Sequence, residues 1–169
     1  MILLVSIFFQ IQNSFTNINT LLVDNAKVFA SQIELNDSDN RKSQNILCSE
    51  NPMKVKIILD YGKKLGVNVE KGIPKLPGKD ATYEAFYGKI GTVIVKDRPM
   101  TNVVYCKLIV HEFIHVLQHL KADLKAVTPL GWDVDSSFIS RYGSLQEAEA
   151  YQYQNNLGKV LSELNKFKN

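Results

Sequence analysis

The stretch Val110–His119, VHEFIHVLQH, contains all three histidines of the 169-residue chain and decides the predicted fold. It lies within a predicted helix, residues 102–122, in which apolar side chains recur at helical spacing. At about 100° per residue the histidines share one polar sector, while apolar side chains cover the other sides. The same sector carries Val104 and Leu108 in the preceding turns. It is therefore polar only locally, as the floor of a cleft would be.

His111 and His115 are one helical turn apart, so their imidazole rings project from the same face of the helix. Two such rings can bind a single cation at about 2.0–2.1 Å. Glu112 is rotated by one residue, so its carboxylate can reach a water held by the metal without binding the metal itself. Zinc lowers the pKa of such a water towards about 7, and a carboxylate can then take its proton. The motif H-E-x-x-H thus predicts a hydrolase with one zinc ion and Glu112 as general base.

The third metal ligand must come from outside this helix. His119 lies about 12 Å from His111 along a straight helix, so the two cannot bind one ion, and we expect His119 behind the site or at the surface. With the histidines used, the remaining ligand must be a carboxylate. The predicted C-terminal helix offers Glu147 and Glu149, on faces about 200° apart. Ser144 and Glu147 also form a capping box, which needs no metal.

The segment HEFIH, followed about thirty positions later by EAEAY, resembles the gluzincin branch of the zincin metallopeptidases. The resemblance implies His111, His115 and Glu147 as the ligands of one zinc ion, with Glu149 as the other candidate for the third position. It also implies that Glu112 is the general base in the hydrolysis of peptide bonds. We therefore expect a peptide or protein substrate.

One position departs from the family pattern. Four residues after Glu147, where the family commonly has an aspartate or asparagine that braces a zinc histidine, this chain has Tyr151. The departure motivates an alternative function, a catalytically inactive zincin-fold protein that binds zinc or regulates a partner. A third interpretation is a metal-free interaction module. Arg141 and Tyr142 are the candidates for stabilising the oxyanion.

The predicted fold class is α+β and zincin-like, with a short β-sheet packed on the HExxH helix and a C-terminal helix that carries the glutamate. Residues 49–66 indicate a helix that is capped by Ser49 and stops at Gly62 or Gly66. Residues 144–166 form the final predicted helix. The three helices and the sheet together account for a single domain of residues 46–169.

The sheet is predicted between the first of these helices and the HExxH helix. Residues 66–80 indicate a short extended piece and a Pro/Gly loop. Residues 86–97, FYGKIGTVIVKD, are the best strand because β-branched residues are concentrated there. This strand resembles the edge strand along which zincins bind an extended peptide. Residues 125–142 indicate a structured loop, and its Trp132 is expected to anchor it.

Residues 1–45 are predicted to contain an N-terminal apolar segment, an amphipathic helix at 17–35 and a polar linker. The first nine residues are mostly apolar. They are too short to span a bilayer but long enough for the hydrophobic part of a signal peptide. Because a basic flank is missing, a cytoplasmic location is favoured over export or membrane attachment.

Charge and cysteine content exclude several classes of protein. The net charge is +3 and the lysines are scattered, so we expect no nucleic-acid partner. Only two cysteines are present, Cys48 and Cys106, so a cysteine zinc cluster cannot form. Two ordinary buried thiols are favoured over a disulfide.

Overall fold

The computed structural model describes residues 46–167, in which one small sheet and several helices surround a central helix. The helices are α1 Val55–Leu65, α2 Asn102–Lys121, α3 Ser136–Tyr142, α4 Leu145–Tyr153 and α5 Leu157–Leu164, and the strands are β1 Asn68–Gly72, β2 Ala81–Phe86 and β3 Lys89–Lys96. The fold is thus mixed α and β. Within residues 46–167 we find no helix that could span a bilayer. The predicted helix at 17–35 and the domain boundary after residue 45 lie outside the described residues.

The central helix α2 matches the predicted range closely. It begins after Thr101, whose hydroxyl oxygen accepts a hydrogen bond from the backbone N–H of Val104 at 3.3 Å. Between Ile109 and His119 every residue is buried except His115, which is partly exposed. The helix packs against β2 and β3 as well as α1, α4 and α5. Because its second half is covered on all sides, this half carries apolar residues all round, and only a short polar patch faces the cleft.

Two glycines of α1 have different roles. Gly66 ends the helix in the left-handed conformation, with φ +84°, as one of the two predicted stops. Gly62 lies inside the helix, where an added Cβ would be 2.4 Å from Phe113 Cζ. This glycine therefore permits the close approach of α1 to α2. The predicted cap at Ser49 is wrong, because α1 begins only after a 3-10 turn at Pro52–Lys54.

The sheet has the strand order β1-β3-β2, with β1 parallel and β2 antiparallel to β3. The prediction that β3 is an edge strand is wrong, because β3 lies between the other two. The extended piece predicted near Asn68 is β1. Strand β2 was not predicted, because Thr82 is its single β-branched residue and its last residue, Phe86, was assigned to the next strand. A turn with Gly88 at φ +72° separates β2 from β3.

Cys48 and Cys106 form a disulfide with their Cα atoms 5.6 Å apart, so the prediction of two free thiols is wrong. Both residues are fully buried. They are separated by 58 positions, and only the fold brings them together. The bond joins the segment before α1 to the first half of α2.

The predicted C-terminal helix consists of two helices, α4 and α5, with a break between them. Ser144 caps α4, since its hydroxyl oxygen accepts from Glu147 N at 3.2 Å. Asn156 begins α5 in the same way and accepts from Lys159 N at 3.0 Å. The second cap explains why a helical pattern that reads as continuous is interrupted.

Candidate metal centre

Three side chains from two helices converge at one end of a cleft. His115 Nε2 lies 3.3 Å from His111 Nε2 and 3.2 Å from Glu147 Oε1, and His111 Nε2 lies 3.8 Å from Glu147 Oε2. Helix α2 supplies the two imidazoles from successive turns, and the first turn of α4 supplies the carboxylate. All three ligand atoms lie within 4.8 Å of one another. The structure therefore brings together the three predicted ligands.

Ligand atoms about 2.0–2.1 Å from a tetrahedral ion are separated by about 3.3 Å. The distances from His115 Nε2 to His111 Nε2 and to Glu147 Oε1, 3.3 and 3.2 Å, lie close to that value, whereas the 3.8 Å approach of Glu147 to His111 is made by its other oxygen, Oε2. Two imidazole nitrogens and one carboxylate oxygen form a donor set that zinc accepts. Three protein ligands leave one of the four coordination positions for a water or a substrate, as in catalytic zinc sites.

Glu112 lies beside this group and lines the same cleft. Its side chain is buried, and burial raises its pKa to about 7 from an ordinary 4.5. The charge of His115 and a hydrogen bond from the backbone N–H of Tyr83 act in the opposite direction. A carboxylate with a pKa near neutrality is suited to exchange protons in both directions.

The three converging side chains have perturbed pKa values of both signs. The hydrogen bond with His115 lowers the pKa of Glu147 to about 2, against the effect of partial burial. Burial lowers the pKa of His111 to about 3, and the neighbouring His115 adds to this shift. Burial alone would lower the pKa of His115, but the hydrogen bond to Glu147 and the charge of Glu112 raise it. In the absence of a metal ion, Glu147 is thus an anion that is stabilised mainly by its hydrogen bond with His115.

The cleft is a cavity of about 460 Å³ between the sheet and α4. This volume lies within the usual range of small-ligand sites. Its lining includes the start of β2, namely Ala81, Thr82 and Tyr83, so an edge strand borders the site. The Oγ1 atom of Thr82 is buried and has no hydrogen-bond partner within residues 46–167.

Lys79 is a residue of the site that the sequence analysis missed. Its Nζ donates a hydrogen bond to Tyr151 Oη at 2.9 Å and lies 3.4 Å from Glu147 Oε2. Burial lowers the pKa of Lys79, but Tyr151 and Glu147 outweigh that effect and raise it. The residue lies in a Pro/Gly loop without a recognisable motif, and no local signal could have identified it. The site thus contains a cation close to the candidate metal ligands.

Tyr151 supports His111 by ring packing. Its ring lies edge-on to the His111 ring, with centroids 4.5 Å apart, and the Tyr142 ring stacks on it at 3.7 Å. Tyr142 therefore acts behind Tyr151, and neither it nor Arg141 is among the residues that line the cleft. The expectation that Arg141 and Tyr142 stabilise the oxyanion is wrong.

His119 and Glu149, the two other candidates from the sequence, lie away from the converging side chains. His119 is buried, and its Nδ1 lies 2.9 Å from Tyr83 Oη, so it is not a surface residue. Glu149 is fully buried and accepts hydrogen bonds from the backbone N–H groups of Leu130, Gly131 and Trp132. Of the two glutamates, Glu147 faces the imidazoles.

Trp132 anchors its loop, as predicted. Its ring lies 4.9 Å from the Tyr153 ring, and Lys159 Nζ lies 4.6 Å above it. The residue does not line the cleft. The loop that it anchors ends in α3, a helix that the sequence analysis did not predict.

No protein-family model, curated protein or solved structure matches the chain. The geometry of the described residues therefore carries the interpretation of this site. That geometry defines a mixed α/β domain with a candidate His-His-Glu metal centre in a cleft.

Proposed function

We propose that this protein is a zinc-dependent peptidase of the zincin type, with His111, His115 and Glu147 as ligands of one zinc ion. The observation that carries the proposal is the convergence of the His111, His115 and Glu147 side chains beside the buried Glu112. The nearest polar atoms of the three side chains are 3.2–3.8 Å apart, and one ligand atom of each lies within 4.8 Å of the others. All four side chains line a cleft, as a site that binds a substrate requires and a purely structural cluster does not.

A bound zinc ion supplies a water of lowered pKa and an electrophile for the scissile carbonyl. The Glu112 carboxylate accepts the proton of the attacking water and later delivers it to the leaving amine nitrogen. The Lys79 ammonium, whose charge acts on Glu112 as well as on Glu147, attracts the negative charge that develops on the carbonyl oxygen. Tyr151 holds Lys79 in this position through its hydroxyl group.

The substrate that we propose is an extended peptide or an unfolded protein segment. Strand β2 pairs with β3 on one side, and its first residues border the cleft. A peptide can add to such an edge by backbone hydrogen bonds.

Metal analysis of the purified protein tests the ligand assignment. We expect about one zinc ion per wild-type chain and a loss of most of it in His111→Ala and Glu147→Gln, because each removes one of three protein ligands. The matched control is Glu70→Gln, a charge-neutralising change on the exposed strand β1. Full occupancy in both ligand variants would contradict the assignment.

Cleavage of labelled casein tests the proposed reaction. We expect chelator-sensitive cleavage by the wild type, and a loss of at least about 10²-fold in kcat for Glu112→Gln with zinc retained. Lys79→Met should lower kcat by about 10²-fold with a smaller change in KM, because Lys79 acts on charge that develops in the transition state. Zinc binding without any cleavage would favour the non-catalytic alternative.

A further inference from the structure

His115 is held from behind by Gln118, which lies one turn later on α2. The Nδ1 atom of His115 is 2.8 Å from Gln118 Oε1. Its other ring nitrogen, Nε2, faces His111 and Glu147. The orientation and protonation of this ring therefore depend on the direction of the Gln118 amide.

The Gln118 amide is fixed in one direction. Its Nε2 donates to Glu149 Oε2 at 2.9 Å and to the backbone oxygen of Gln146 at 3.0 Å. These two acceptors use both amide hydrogens. A reversed amide would place its oxygen against a carboxylate and a carbonyl within the core, which is unfavourable. Oε1 is thus left to accept a hydrogen bond from His115 Nδ1–H.

Glu149 is the charged end of this chain of hydrogen bonds. Its Oε1 accepts from Gly131 N at 2.7 Å and Trp132 N at 3.0 Å, and its Oε2 accepts from Leu130 N at 2.7 Å. With Gln118 these donors occupy both oxygens, so the carboxylate acts purely as an acceptor. One buried group therefore orients the Gln118 amide and fixes the loop after α2.

We propose that Gln118 and Glu149 are positioning residues that keep the proton of His115 on Nδ1, which leaves the Nε2 lone pair free for a metal ion. The inference rests on the proposed zinc site and deepens it. Neither residue touches the cleft atoms that would react.

Two acceptors compete for the proton of a neutral His115. Glu147 Oε1 lies 3.2 Å from Nε2, and Gln118 Oε1 lies 2.8 Å from Nδ1. Glu147 has an alternative partner in Lys79, 3.4 Å away. If Nδ1 lost its proton, its lone pair would face the Gln118 oxygen in the core, with no donor between them. With the proton on Nδ1, Glu147 keeps Lys79 as a donor; with the proton on Nε2, Gln118 Oε1 would have no donor. The tautomer with the proton on Nε2 therefore costs more, and the proton stays on Nδ1.

The same hydrogen bonds reach one wall of the cleft. The side chain of Gln146, whose backbone oxygen accepts from Gln118, donates to Val127 O at 3.3 Å. Both Gln146 and Val127 line the cleft. Loss of the Glu149 carboxylate should therefore loosen this wall as well as His115.

Nitrogen-15 NMR of the histidine rings tests the proposal in the intact, chelator-treated wild type. In alkaline solution, where the imidazole is neutral, we expect the His115 proton on Nδ1, with slow exchange against solvent. Gln118→Met keeps the length of the side chain but removes both the acceptor and the donor, so Nδ1 should lose its protected proton. Zinc affinity, measured by competition with a chromophoric chelator, should fall by about 10–100-fold in this variant.

The matched control is Gln152→Met on α4, the helix that carries Glu149. Gln152 binds the end of the same loop, through Asp133 O and Asp135 N, and makes no contact with His115. We expect it to leave the His115 signals and zinc affinity unchanged. An equal effect of both variants on zinc affinity would reduce Gln118 to a structural role and overturn the proposal.

The wild-type NMR measurement decides the proposal even if Gln118→Met fails to fold. A proton on Nε2 of neutral His115 would overturn the positioning role, whether or not zinc binds. Conversely, a proton on Nδ1 in a protein that binds no zinc would support the hydrogen-bond chain while the proposed peptidase function fails. The two failures are therefore distinguishable.

Discussion

Glu112 and Glu147 occupy opposite environments within one small site. Glu112 is buried, and burial raises its pKa to about 7, whereas hydrogen bonding to His115 lowers the pKa of Glu147 to about 2. Paired carboxyl groups with divergent pKa values commonly divide the acid–base work of a site between them. This contrast supports the proposed roles of Glu147 as a metal ligand and of Glu112 as the group that transfers protons.

At the residue scale, Glu112 makes the stability of the metal-free protein depend on pH. Its pKa is about 7 when folded and about 4.5 when unfolded, so the folded state binds the extra proton between these values. Its contribution to stability is therefore complete below about pH 4.5 and is lost as the pH rises to about 7. As the pH rises through this range, the free energy of unfolding of the wild type should fall by on the order of 3 kcal/mol relative to that of Glu112→Gln, because the glutamine side chain does not titrate.

Urea unfolding in the presence of a chelator measures this difference. Glu147→Gln is the control of opposite sign, since the lowered pKa of Glu147 stabilises the folded state above about pH 4.5 and that contribution is lost towards about pH 2. Its pH-dependent difference from the wild type should appear only in the acid range. Parallel stability curves for wild type and Glu112→Gln between pH 4.5 and 7 would refute the burial argument.

At the element scale, the helix that carries the histidines is positioned by its packing. Helix α1 approaches it at Gly62, where the ring of Phe113 occupies the space of a missing Cβ. Phe113 directly follows Glu112 in α2 and is fully buried. The contact on one side of α2 thus helps to set the direction of the side chains on the other.

Gly62→Ala should lower the free energy of unfolding by about 1–3 kcal/mol, because the added methyl group would overlap the Phe113 ring. The higher helix propensity of alanine, worth about 1 kcal/mol, acts in the opposite direction but is smaller than the overlap. Urea denaturation measures the effect. In a Phe113→Leu background, which shortens the obstructing side chain, the same change should cost less. An equal cost in both backgrounds would exclude this contact as the cause.

At the scale of the whole molecule, the disulfide joins parts of the chain that lie far apart in sequence. Cys48 precedes α1, Cys106 lies in α2, and the segment between them contains the entire three-stranded sheet. Disulfides are typical of proteins in oxidising compartments. The cytoplasmic location stays a prediction, and this disulfide is an argument against it.

Replacing both cysteines, Cys48→Ala with Cys106→Ala, should lower the free energy of unfolding by about 4 kcal/mol, the chain-entropy value for a closed loop of 58 residues. Denaturation with and without a reducing agent measures this loss. The reducing agent should destabilise the wild type by a similar amount and leave the double variant unchanged. If reduction affects neither protein, the disulfide does not form in solution.

Some features of the protein could be predicted from neighbouring residues alone. The geometry of an α-helix places residues i and i+4 on one face, so the spacing of His111 and His115 is sufficient to predict that they converge. Local patterns also predict both ends of α2 to within one residue. They predict β3 as well, although the predicted range includes the turn that precedes the strand. Strand β2 was missed because its short polar–apolar pattern is weak without its partner strand.

The motif helix, its two imidazoles and the adjacent carboxylate could be predicted from the sequence, because helical periodicity acts between near neighbours. The packing of the helices was needed to show that Glu147, and not Glu149, faces the imidazoles, that Lys79 lines the cleft, and that Glu149 lies behind Gln118. The tertiary structure also closed the disulfide and put β2 at the edge of the sheet. These contacts join residues far apart in the chain, and they depend on how helices and strands pack, which no local pattern records.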